Sequence, residues 1–456
     1  MDLRLAEISR TIDPVELGRR VRVARTAAGM TQAQVAADDV TAAYLSRIED
    51  GQRRPEAGLL ERMAGRMGIG LHELLTGVTA DRTRAIQFAL DNAEIALASG
   101  DHTSALQQAS AVLADADTEL PKDLKAVALR VQAGAFESAG DLSGAIVILE
   151  ELTSEPTADV NWLRSLIALS RCYRDSGEFM KAIAVGDTAS GTIQELGLEG
   201  LTEAIQLTVT VAAAHHRLGD VDEAMRVCMR ALNAAEKYNS PIAKASAYWN
   251  ASMVENTARG ATAVATDLAR KALALFEAGD DNRNLAKIRA QVATLQLSQD
   301  PPDGAAALKT LEHAEQELTW SGASAWEIAL LHITRGRAHL TLGDHVKALE
   351  NIQTGLEMAP PQAPFLRASA DALKGQIAAA EGRVDDARAL YRNAVMELTA
   401  AGSDRGAAQL WFDLANLLTD VGDTEGALKA FRSAGASTGL RANVSAVGYR
   451  AETPGS

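Results

Sequence analysis

Two threonines, Thr31 and Thr41, could each begin a helix whose N-terminus binds a phosphate group. Each stands directly before a short stretch with helical spacing of apolar residues, and threonine is a favoured N-cap because its hydroxyl accepts a bond from a free helix amide. The sequence therefore predicts short helices over residues 32–37 and 42–49. The N-terminus of a helix carries free N–H groups and the positive end of the helix dipole, so it attracts phosphate.

The charge of the chain is distributed unevenly. The formal net charge is −15, yet residues 1–78 contain 11 arginines and 11 acidic residues and have a net charge of 0. The whole acidic excess therefore lies downstream of residue 78. Attraction to phosphate must come from arginines placed locally, such as Arg53 and Arg54 in the loop after the second short helix, and not from the field of the whole chain.

The segment from Leu17 to Gly77 resembles the helix-turn-helix domain of the Xre/Cro/phage-repressor family. The resemblance covers about 60 residues. It implies a five-helix DNA-binding domain over residues 1–78, in which the helix at residues 42–49 enters the major groove. The matching pieces are Leu17–Arg22, Gly29–Gln32, Ser46–Gly51 and Leu71–Leu75.

The resemblance also implies roles for individual side chains. Gln32 is similar to the family's glutamine that holds a backbone phosphate near the start of the second helix. Ala42 and Ala43 could contact a thymine methyl group, whereas Ser46 or Arg47 could reach base edges. The predicted DNA-binding residues are Gln32, Thr41, Ala42, Ala43, Tyr44, Ser46, Arg47, Arg53 and Arg54.

Other residues of the same segment have structural interpretations. Arg25 and Glu49 occupy positions that form an internal ion pair in similar repressors, so neither is expected to contact DNA. Arg47 has a comparable alternative as a brace between helices. The residues expected in the small core are Val35, Leu45 and Ile48.

The turn between the two short helices departs from the repressor pattern. It is one residue shorter, and Asp38-Asp39-Val40 replaces the usual Leu-Gly. The same shortened turn, with a helical repeat behind it, occurs in the peptide-responsive regulators of Gram-positive bacteria, the group of PlcR, NprR and Rgg, to which the whole chain is similar. Two adjacent aspartates near the DNA backbone would weaken phosphate binding without abolishing it.

A glycine followed five residues later by a small residue recurs through the rest of the chain, usually as G-(D/E)-x-x-x-A. Successive copies lie 37 to 42 residues apart, except for one interval of 83 residues that hides a degenerate copy at Gln299–Gly304. Apolar residues at helical spacing precede each glycine, so each unit is predicted to be two antiparallel helices joined by a tight turn. The pairs are Gly100 with Ala105, Gly140 with Ala145, Gly177 with Ala182, Gly219 with Ala224, Gly260 with Ala265, Gly343 with Ala348, Gly382 with Ala387, and Gly422 with Ala427.

This spacing resembles that of tetratricopeptide repeats, in which another alanine follows seven residues later, as at Ala189 and Ala231. The resemblance implies an α-solenoid in which the first helix of each hairpin lines the concave surface. Aromatic residues make up only 4% of the chain, which favours closely packed helices over sheets. The predicted fold class is all-α: a five-helix helix-turn-helix domain, then a solenoid of about nine hairpins over residues 79–436. Residues 437–456 are predicted to be a disordered tail.

Counting back from each turn glycine gives the positions expected on the concave surface. Guanidinium and carboxamide groups there could together hold a peptide backbone and its carboxylate. Each arginine could instead pair with acidic residues of a neighbouring helix, although the spacing of Arg164, Arg171 and Arg174 on one helix favours a ligand. The predicted ligand-binding residues are Arg130, Arg164, Arg171, Arg174, His216, Arg217, Asn250, Arg289, Gln296, Arg337, Gln376 and Asn416.

Several classes of protein are disfavoured by the sequence. Cys172 and Cys228 have no second thiol or histidine at metal-ligand spacing, so both are expected in the core and no disulfide, metal or cofactor is expected. No nucleophile elbow, phosphate loop or H-E-x-x-H motif occurs, which argues against an enzyme. Residues 1–14 lack the apolar segment of a signal peptide and no apolar run is long enough to cross a membrane, so a cytoplasmic location is expected.

Together these features predict a transcription regulator that binds a two-fold operator as a homodimer and whose solenoid senses a signal, with a short peptide favoured. One alternative is an interaction scaffold in which the repeats bind a partner protein. Another is a regulator that responds to a small metabolite. A regulator should shift its own promoter fragment in a gel and bind less tightly as salt rises, whereas a scaffold should do neither.

Overall fold

A computed structural model of the chain describes residues 9–114, 120–260, 262–279, 282–320, 325–360, 363–401 and 407–437. These residues form helices and connecting turns, and none of them forms a β-strand. Apart from Ser437, the tail predicted to be disordered lies outside the described residues, as do the first eight residues of the segment judged not to be a signal peptide. The chain divides into two compact units, residues 1–155 and 156–456.

The first unit begins with the helix-turn-helix domain. Its five predicted helices are present, preceded by a short helical segment at residues 9–11. They enclose a core in which the three predicted residues, Val35, Leu45 and Ile48, are fully buried. The helices are α1 (Pro14–Ala27), α2 (Gln32–Ala36), α3 (Ala42–Glu49), α4 (Ala57–Arg66) and α5 (Leu71–Thr76).

Both predicted N-caps are confirmed. The Thr31 hydroxyl accepts a hydrogen bond from the backbone N–H of Gln34 at 3.3 Å, and the Gln34 side chain accepts one from the backbone N–H of Thr31 at 2.7 Å. This reciprocal capping box fixes the start of α2. The Thr41 hydroxyl accepts from the backbone N–H of Tyr44 at 3.2 Å and fixes the start of α3.

Two helical hairpins complete the first unit. The hairpins are α6 (Ala80–Ala98) with α7 (His102–Leu113), and α8 (Lys122–Ala139) with α9 (Leu142–Thr153). The domain boundary predicted after residue 78 falls inside this unit and stays a prediction.

The second unit consists of seven further hairpins among its described residues, so the described chain contains nine hairpins and the predicted all-α fold class is confirmed. Their helices are α10 (Val160–Asp175), α11 (Phe179–Glu195), α12 (Thr202–Leu218), α13 (Val221–Lys237), α14 (Pro241–Arg259), α15 (Ala263–Glu277), α16 (Asn282–Leu297), α17 (Gly304–Trp320), α18 (Ala325–Thr341), α19 (His345–Met358), α20 (Pro364–Ala380), α21 (Val384–Ala401), α22 (Ala408–Asp420) and α23 (Thr424–Ser437).

The G-D motif explains how each hairpin turns. All eight turn glycines have φ between 74° and 89°, in the left-handed region that a residue with a Cβ rarely adopts. The aspartate that follows then caps the second helix, as when the Asp220 carboxylate accepts from the backbone N–H of Glu223 at 3.2 Å. The small residue five positions after the glycine is buried in every copy, which allows the two helices to approach closely.

Within the second unit, the first helices of successive hairpins are in contact at most junctions, except between α14 and α16, whereas successive second helices have fewer contacts. The first helices therefore form the inner layer of the repeat, as predicted. Cys172 and Cys228 are buried free thiols, as expected, and burial raises the pKa of Cys228 to about 12. Among the described helices, none has both the length and the apolar composition needed to cross a membrane.

Candidate DNA-binding surface and ligand cavity

Helix α3 presents the predicted face to solvent. Leu45 and Ile48 point into the core, while Ala43 and Arg47 are exposed. The remaining predicted contacts on this helix are half-buried at its sides and still reach the surface: Ala42, Tyr44 and Ser46. The helix that resembles a recognition helix therefore offers one small apolar and one cationic group at its outermost positions.

The position of α3 depends on a buried carboxylate at its last residue, Glu49. Its two oxygens accept hydrogen bonds from Nε and Nη2 of Arg25 at 2.6 and 3.1 Å. A third bond comes from Nε2 of Gln32 at 2.9 Å, and the Arg22 guanidinium lies 3.5 Å away. Since Arg25 belongs to α1 and Gln32 to α2, one carboxylate joins three helices, and the predicted Arg25–Glu49 pair is confirmed.

The electrostatics of this cluster keep Glu49 ionised. Burial by itself would raise the pKa of Glu49, but the hydrogen bonds from Arg25 and Gln32 outweigh it, so the pKa lies below the ordinary value for glutamate. The bond to Glu49 also orients Gln32, the predicted phosphate ligand. This bond uses one N–H of the Gln32 amide, and the second has no partner among the described residues.

The two aspartates of the shortened turn differ in their surroundings. The Asp39 carboxylate pairs with Nε of Arg62 at 2.9 Å and with Arg66, both on α4. The hydrogen bond from Arg66 is the main reason that the pKa of Asp39 lies below its ordinary value. Asp38 is exposed and has no ion-pair partner among the described residues. Of the two carboxylates, that of Asp38 is therefore the one without a compensating cation among the described residues.

The arginines of the domain fall into two groups. Arg54, predicted to contact phosphate, donates to the backbone carbonyls of Ser9, Arg10 and Ile12 at 3.0, 2.7 and 2.5 Å, so it anchors the N-terminal segment. Arg47 and Arg53 are exposed and have no hydrogen-bond or ion-pair partner among the described residues, so the brace suggested for Arg47 is not formed. The Arg10 side chain is also exposed and has no partner among the described residues, and no pattern in the sequence had singled it out.

On the first helices of the hairpins, most predicted ligand-binding arginines pair within the chain. Arg130 pairs with Glu94 at 2.9 Å and Arg164 with Glu203 at 3.0 Å. Arg174 pairs with Asp175, and Arg289 bridges Glu277 and Glu317 at 2.8 and 2.9 Å. Arg171 and Arg217 also have interactions of their own. The alternative interpretation, ion pairing between helices, thus describes Arg130, Arg164 and Arg289.

The predicted uncharged ligands are also partly engaged. His216 Nε2 lies 2.8 Å from the Thr257 hydroxyl, and burial lowers the pKa of His216, so the ring is neutral at physiological pH. The Asn250 amide donates to the carbonyl of Ser246 at 3.0 Å. Gln296 accepts from the Thr310 hydroxyl at 3.2 Å through its Oε1 and keeps its amide donors.

Three predicted residues meet in one cavity of about 470 Å³ in the second unit. Arg337, Gln376 and Asn416 come from α18, α20 and α22, and each lies six residues before its turn glycine. The equal spacing places them in one row along the inner layer. Other lining residues are Thr294, Leu330, Ile333, Thr334, Phe365, Ser369, Ala372, Leu373, Leu410, Asp413 and Leu417.

The cavity combines one cation with apolar walls. Arg337 is open to the cavity, and among the described residues its guanidinium has one hydrogen-bond partner, the carbonyl of Leu297 at 3.4 Å. The surrounding helices displace enough water to lower the pKa of Arg337, and the nearby charge of Asp413 opposes this shift. The sequence prediction missed Asp413, although its spacing of three from Asn416 places both on one side of α22.

A second cavity, of about 640 Å³, is lined mainly by residues of α11, α12 and α13. Its charged lining includes Asp187, Glu199, Arg230 and Lys237, whose charges balance. None of the predicted ligand-binding residues lines it, because it opens between second helices and not along the inner layer.

Comparison with known proteins supports both halves of this description. Residues 16–75 match the family model of a helix-turn-helix domain. No curated protein sequence matches the chain. The predicted combination of a helix-turn-helix domain with a tetratricopeptide-like repeat is therefore tested mainly by similarity to solved structures.

Similar solved structures include the following three proteins. A Rap protein complexed with Competence and Sporulation Factor has a TM-score of 0.53 at 14% identity, over 78% of this chain and 98% of that chain. The apo quorum sensor NprR from B. thuringiensis scores 0.49 at 13% identity, over 78% and 99%. PlcR from Bacillus thuringiensis, in complex with the peptide PapR7 and DNA, scores 0.39 at 16%, over 62% and 99%. Residues 16–75 therefore form a helix-turn-helix domain, and most of the chain shares the helical-repeat fold of the Rap protein.

Proposed function

We propose that this protein is a sequence-specific DNA-binding transcription regulator whose solenoid senses a signal. The observation that carries the proposal is the division among the arginines of the helix-turn-helix domain. Arg47 on α3 and Arg53 just behind it extend into solvent without partners among the described residues, whereas Arg25, Arg62 and Arg66 are held by carboxylates. Unpaired cations beside a helix of this type can contact bases and phosphates.

In this proposal the contacts to DNA divide into two kinds. The free amides at the starts of α2 and α3, the second N–H of the Gln32 amide and the Arg53 guanidinium bind phosphates. Ala42, Ala43, Ser46 and Arg47 read base edges and thymine methyl groups from α3. Arg54 contributes indirectly, because it anchors the segment before α1.

Recognition by one copy would be weak. Helix α3 has eight residues, which at about 1.5 Å per residue span roughly 12 Å and reach only a few base pairs. Two copies on half-sites about 34 Å apart restore affinity and specificity. We therefore propose a homodimer on a two-fold operator.

The cavity around Arg337 is the proposed signal site. Its guanidinium suits a carboxylate, the Gln376 amide suits a peptide backbone, and Leu330, Phe365 and Leu417 suit an apolar side chain. A short peptide that ends in an apolar residue with a free carboxylate offers this combination. The Rap protein, which shares the helical-repeat fold, was solved in complex with Competence and Sporulation Factor, so a fold of this type can bind a second molecule.

Signal binding would change DNA binding through the repeat. The cavity is lined by residues of α16, α18, α20 and α22, so a ligand there contacts four successive hairpins. A ligand that fits one arrangement of these hairpins better than another shifts the population towards it. Operator affinity then changes if the two arrangements place the paired DNA-binding domains at different distances or angles from each other.

The DNA-binding part of the proposal is tested by selecting sites from random duplex DNA with the full chain. We expect enrichment of a two-fold sequence with half-sites about one helical turn apart. Recovery of no sequence, or of binding that is equal for all duplexes, would favour the interaction scaffold.

The signal site is tested with a library of short peptides, screened by thermal shift of the full chain. Peptides that bind should lose most of their effect when their carboxyl terminus is amidated or when Arg337→Ala is introduced. Arg335→Ala is the matched control, because that arginine lies on the same helix and pairs with Glu315 at 2.8 Å. Equal shifts in all proteins would place the ligand elsewhere.

A further inference from the structure

A short connection joins the helix-turn-helix domain to the first hairpin, and it consists of the three residues Gly77, Val78 and Thr79 between α5 and α6. Gly77 ends α5: its φ is 79°, and its N–H donates to the carbonyl of Glu73 at 2.7 Å. Thr79 begins α6, because its hydroxyl accepts from the backbone N–H of Arg82 at 3.2 Å. Local bonds therefore fix both ends of the connection, and its stiffness depends on Val78.

The side chain of Val78 is anchored in the repeat. It is 2% exposed and belongs to the hydrophobic cluster of the first two hairpins. Withdrawing this side chain would leave a cavity in that cluster, which is unfavourable. A residue of the connection is thus part of the core of the repeat. The other buried members of the cluster are Ile86 and Leu90 of α6, Val112 of α7, and Leu124 and Ala128 of α8.

The backbone of Val78 is anchored in the DNA-binding domain. Its N–H donates to the hydroxyl of Thr76, a buried residue of α5, at 3.3 Å. The same hydroxyl lies 2.7 Å from the carbonyl of His72, and Nδ1 of the His72 ring lies 3.2 Å from the carbonyl of Val78. Arg20 of α1 donates to the carbonyl of Leu75 and so holds the end of α5 against α1. The bonds to Val78 therefore continue into the helices that carry α3.

We infer that Val78 is a positioning residue that couples the helix-turn-helix domain to the repeat, so that the domain and the first two hairpins rotate as one body. The three residues of the connection are each fixed, one at the end of a helix, one in a core and one at the start of a helix. A flexible linker of small polar residues would have none of these anchors. The division of the chain into compact units also falls after residue 155 and not at this connection. This inference rests on the proposed function and names the route by which a change in the repeat reaches α3.

The coupling affects operator binding because the two DNA-binding domains of a dimer must reach two half-sites at once. A domain that is already held in one orientation loses little freedom when it binds, whereas a loosely tethered domain loses more. Release of the joint should therefore weaken binding to a two-fold operator. It should leave the affinity of each α3 for an isolated half-site unchanged.

Rotational motion of the full chain tests the joint without any ligand. A dye on Glu61→Cys reports on α4 and a dye on Gln107→Cys reports on α7, since both side chains are exposed and both natural cysteines are buried. Time-resolved fluorescence anisotropy should give the two dyes the same slow correlation time. A Gly-Ser-Gly-Ser insertion between Val78 and Thr79 should add a faster rotation at α4 and leave α7 unchanged. A faster rotation at α4 without the insertion would overturn the inference.

A matched pair of substitutions isolates the contribution of Val78. Val78→Ser and Val112→Ser place the same hydroxyl in the same cluster, so both should lower the melting temperature. Val78→Ser alone should free the rotation at α4 and weaken binding to the two-fold operator about tenfold, with half-site affinity unchanged. Val78→Ile keeps an apolar branched side chain and should behave as the wild type. Equal rotation and equal operator affinity in the two serine variants would show that Val78 is only a core residue, which would overturn the inference.

The outcome is separable from the proposed function. The anisotropy measurement needs no DNA, so a wild type that binds no operator would remove the proposed function while the rotation of α4 still reports on the joint. If operator binding holds and the dye on α4 rotates independently of the dye on α7, only the coupling through Val78 fails.

Discussion

At the scale of single residues, the DNA-binding surface depends on how charges are paired beneath it. Glu49 holds Arg25 and Gln32 and so fixes α3 against α1 and α2. Asp39 holds Arg62 and Arg66 and fixes the turn against α4. The side chains of Arg47 and Arg53 have no partner among the described residues, which leaves them available in the proposed contact with DNA.

Glu49→Gln should loosen α3. The carboxamide cannot accept from both Arg25 and Gln32 as an anion does, so the local free energy of opening should fall by about 2 kcal/mol. Hydrogen exchange of the α3 amides in the full chain measures this change. Asp50→Asn is the control, because Asp50 is exposed and its one ion-pair partner in the described part of the chain is Arg22, at 2.5 Å.

The same residue makes the stability depend on pH. The pKa of Glu49 is lower in the folded protein than in the unfolded chain, so its contribution is complete above the unfolded value and is lost as the pH falls towards the folded value. Protection of α3 should therefore decline in acid, and Glu49→Gln should remove part of this decline. An identical pH profile in both proteins would show that Glu49 is not the responsible group.

Asp38→Asn and Asp39→Asn should change different properties, although the residues are adjacent: the first should change operator affinity and the second thermal stability. Asp38 is exposed and unpaired among the described residues, so its removal should raise operator affinity by roughly twofold to fivefold at low salt and less at high salt. Loss of the Asp39 carboxylate frees Arg62 and Arg66 and should lower the melting temperature. Fluorescence anisotropy and calorimetry report the two effects, and equal changes in both variants would refute the distinction.

At the scale of elements, α1 and α3 approach so closely that only glycine fits between them. A Cβ on Gly18 would lie 2.7 Å from the carbonyl oxygen of Glu49 and closer still to that of Ile48. Both are backbone atoms and cannot move aside without shifting α3. The sequence resemblance included Gly18, but only the structure shows what it contacts.

Gly18→Ala should therefore destabilise the domain by about 1–3 kcal/mol and weaken operator binding. Gly65→Ala on α4 is the matched control, since a Cβ there meets no atom within 4 Å, and it should stabilise the helix by up to about 1 kcal/mol. Thermal unfolding of the two full-length variants gives the comparison. If both variants melt alike, the close approach of α1 and α3 does not limit stability.

The hairpins were predictable for a physical reason. The turn needs a glycine with positive φ, the next helix needs a cap, and the crossing needs a small residue, so three local requirements repeat in one motif. The degenerate copy also forms a hairpin, α16–α17, without the glycine that marks the others. Side-chain partners were less predictable. Arg54, for example, donates to backbone carbonyls more than 40 residues earlier in the chain, and every residue has a backbone carbonyl, so the sequence does not identify which one is bound.

At the scale of the whole molecule, the fold class could be predicted from the sequence. For the proposed ligand site, the sequence predicted only which face of the first helices would line it. The repeat spacing identified one side of the first helices, and Arg337, Gln376 and Asn416 do meet in one cavity. The repeat spacing could not distinguish these residues from Arg164 or Arg289. Those two arginines form ion pairs with carboxylates of other helices, and the spacing within one helix does not predict such pairs.

The central claim is that the helix-turn-helix domain binds DNA through Arg47 and Arg53, and titration of a selected operator with the full chain at several salt concentrations tests it most directly. Arg47→Ala should cost about 1–3 kcal/mol for the selected sequence and less for others. Arg53→Ala should weaken binding to all duplexes and reduce the salt dependence by about one counterion per half-site. The control, Arg270→Ala, removes an exposed charge on α15 and should change neither. Equal affinity and salt dependence in all four proteins would contradict the account.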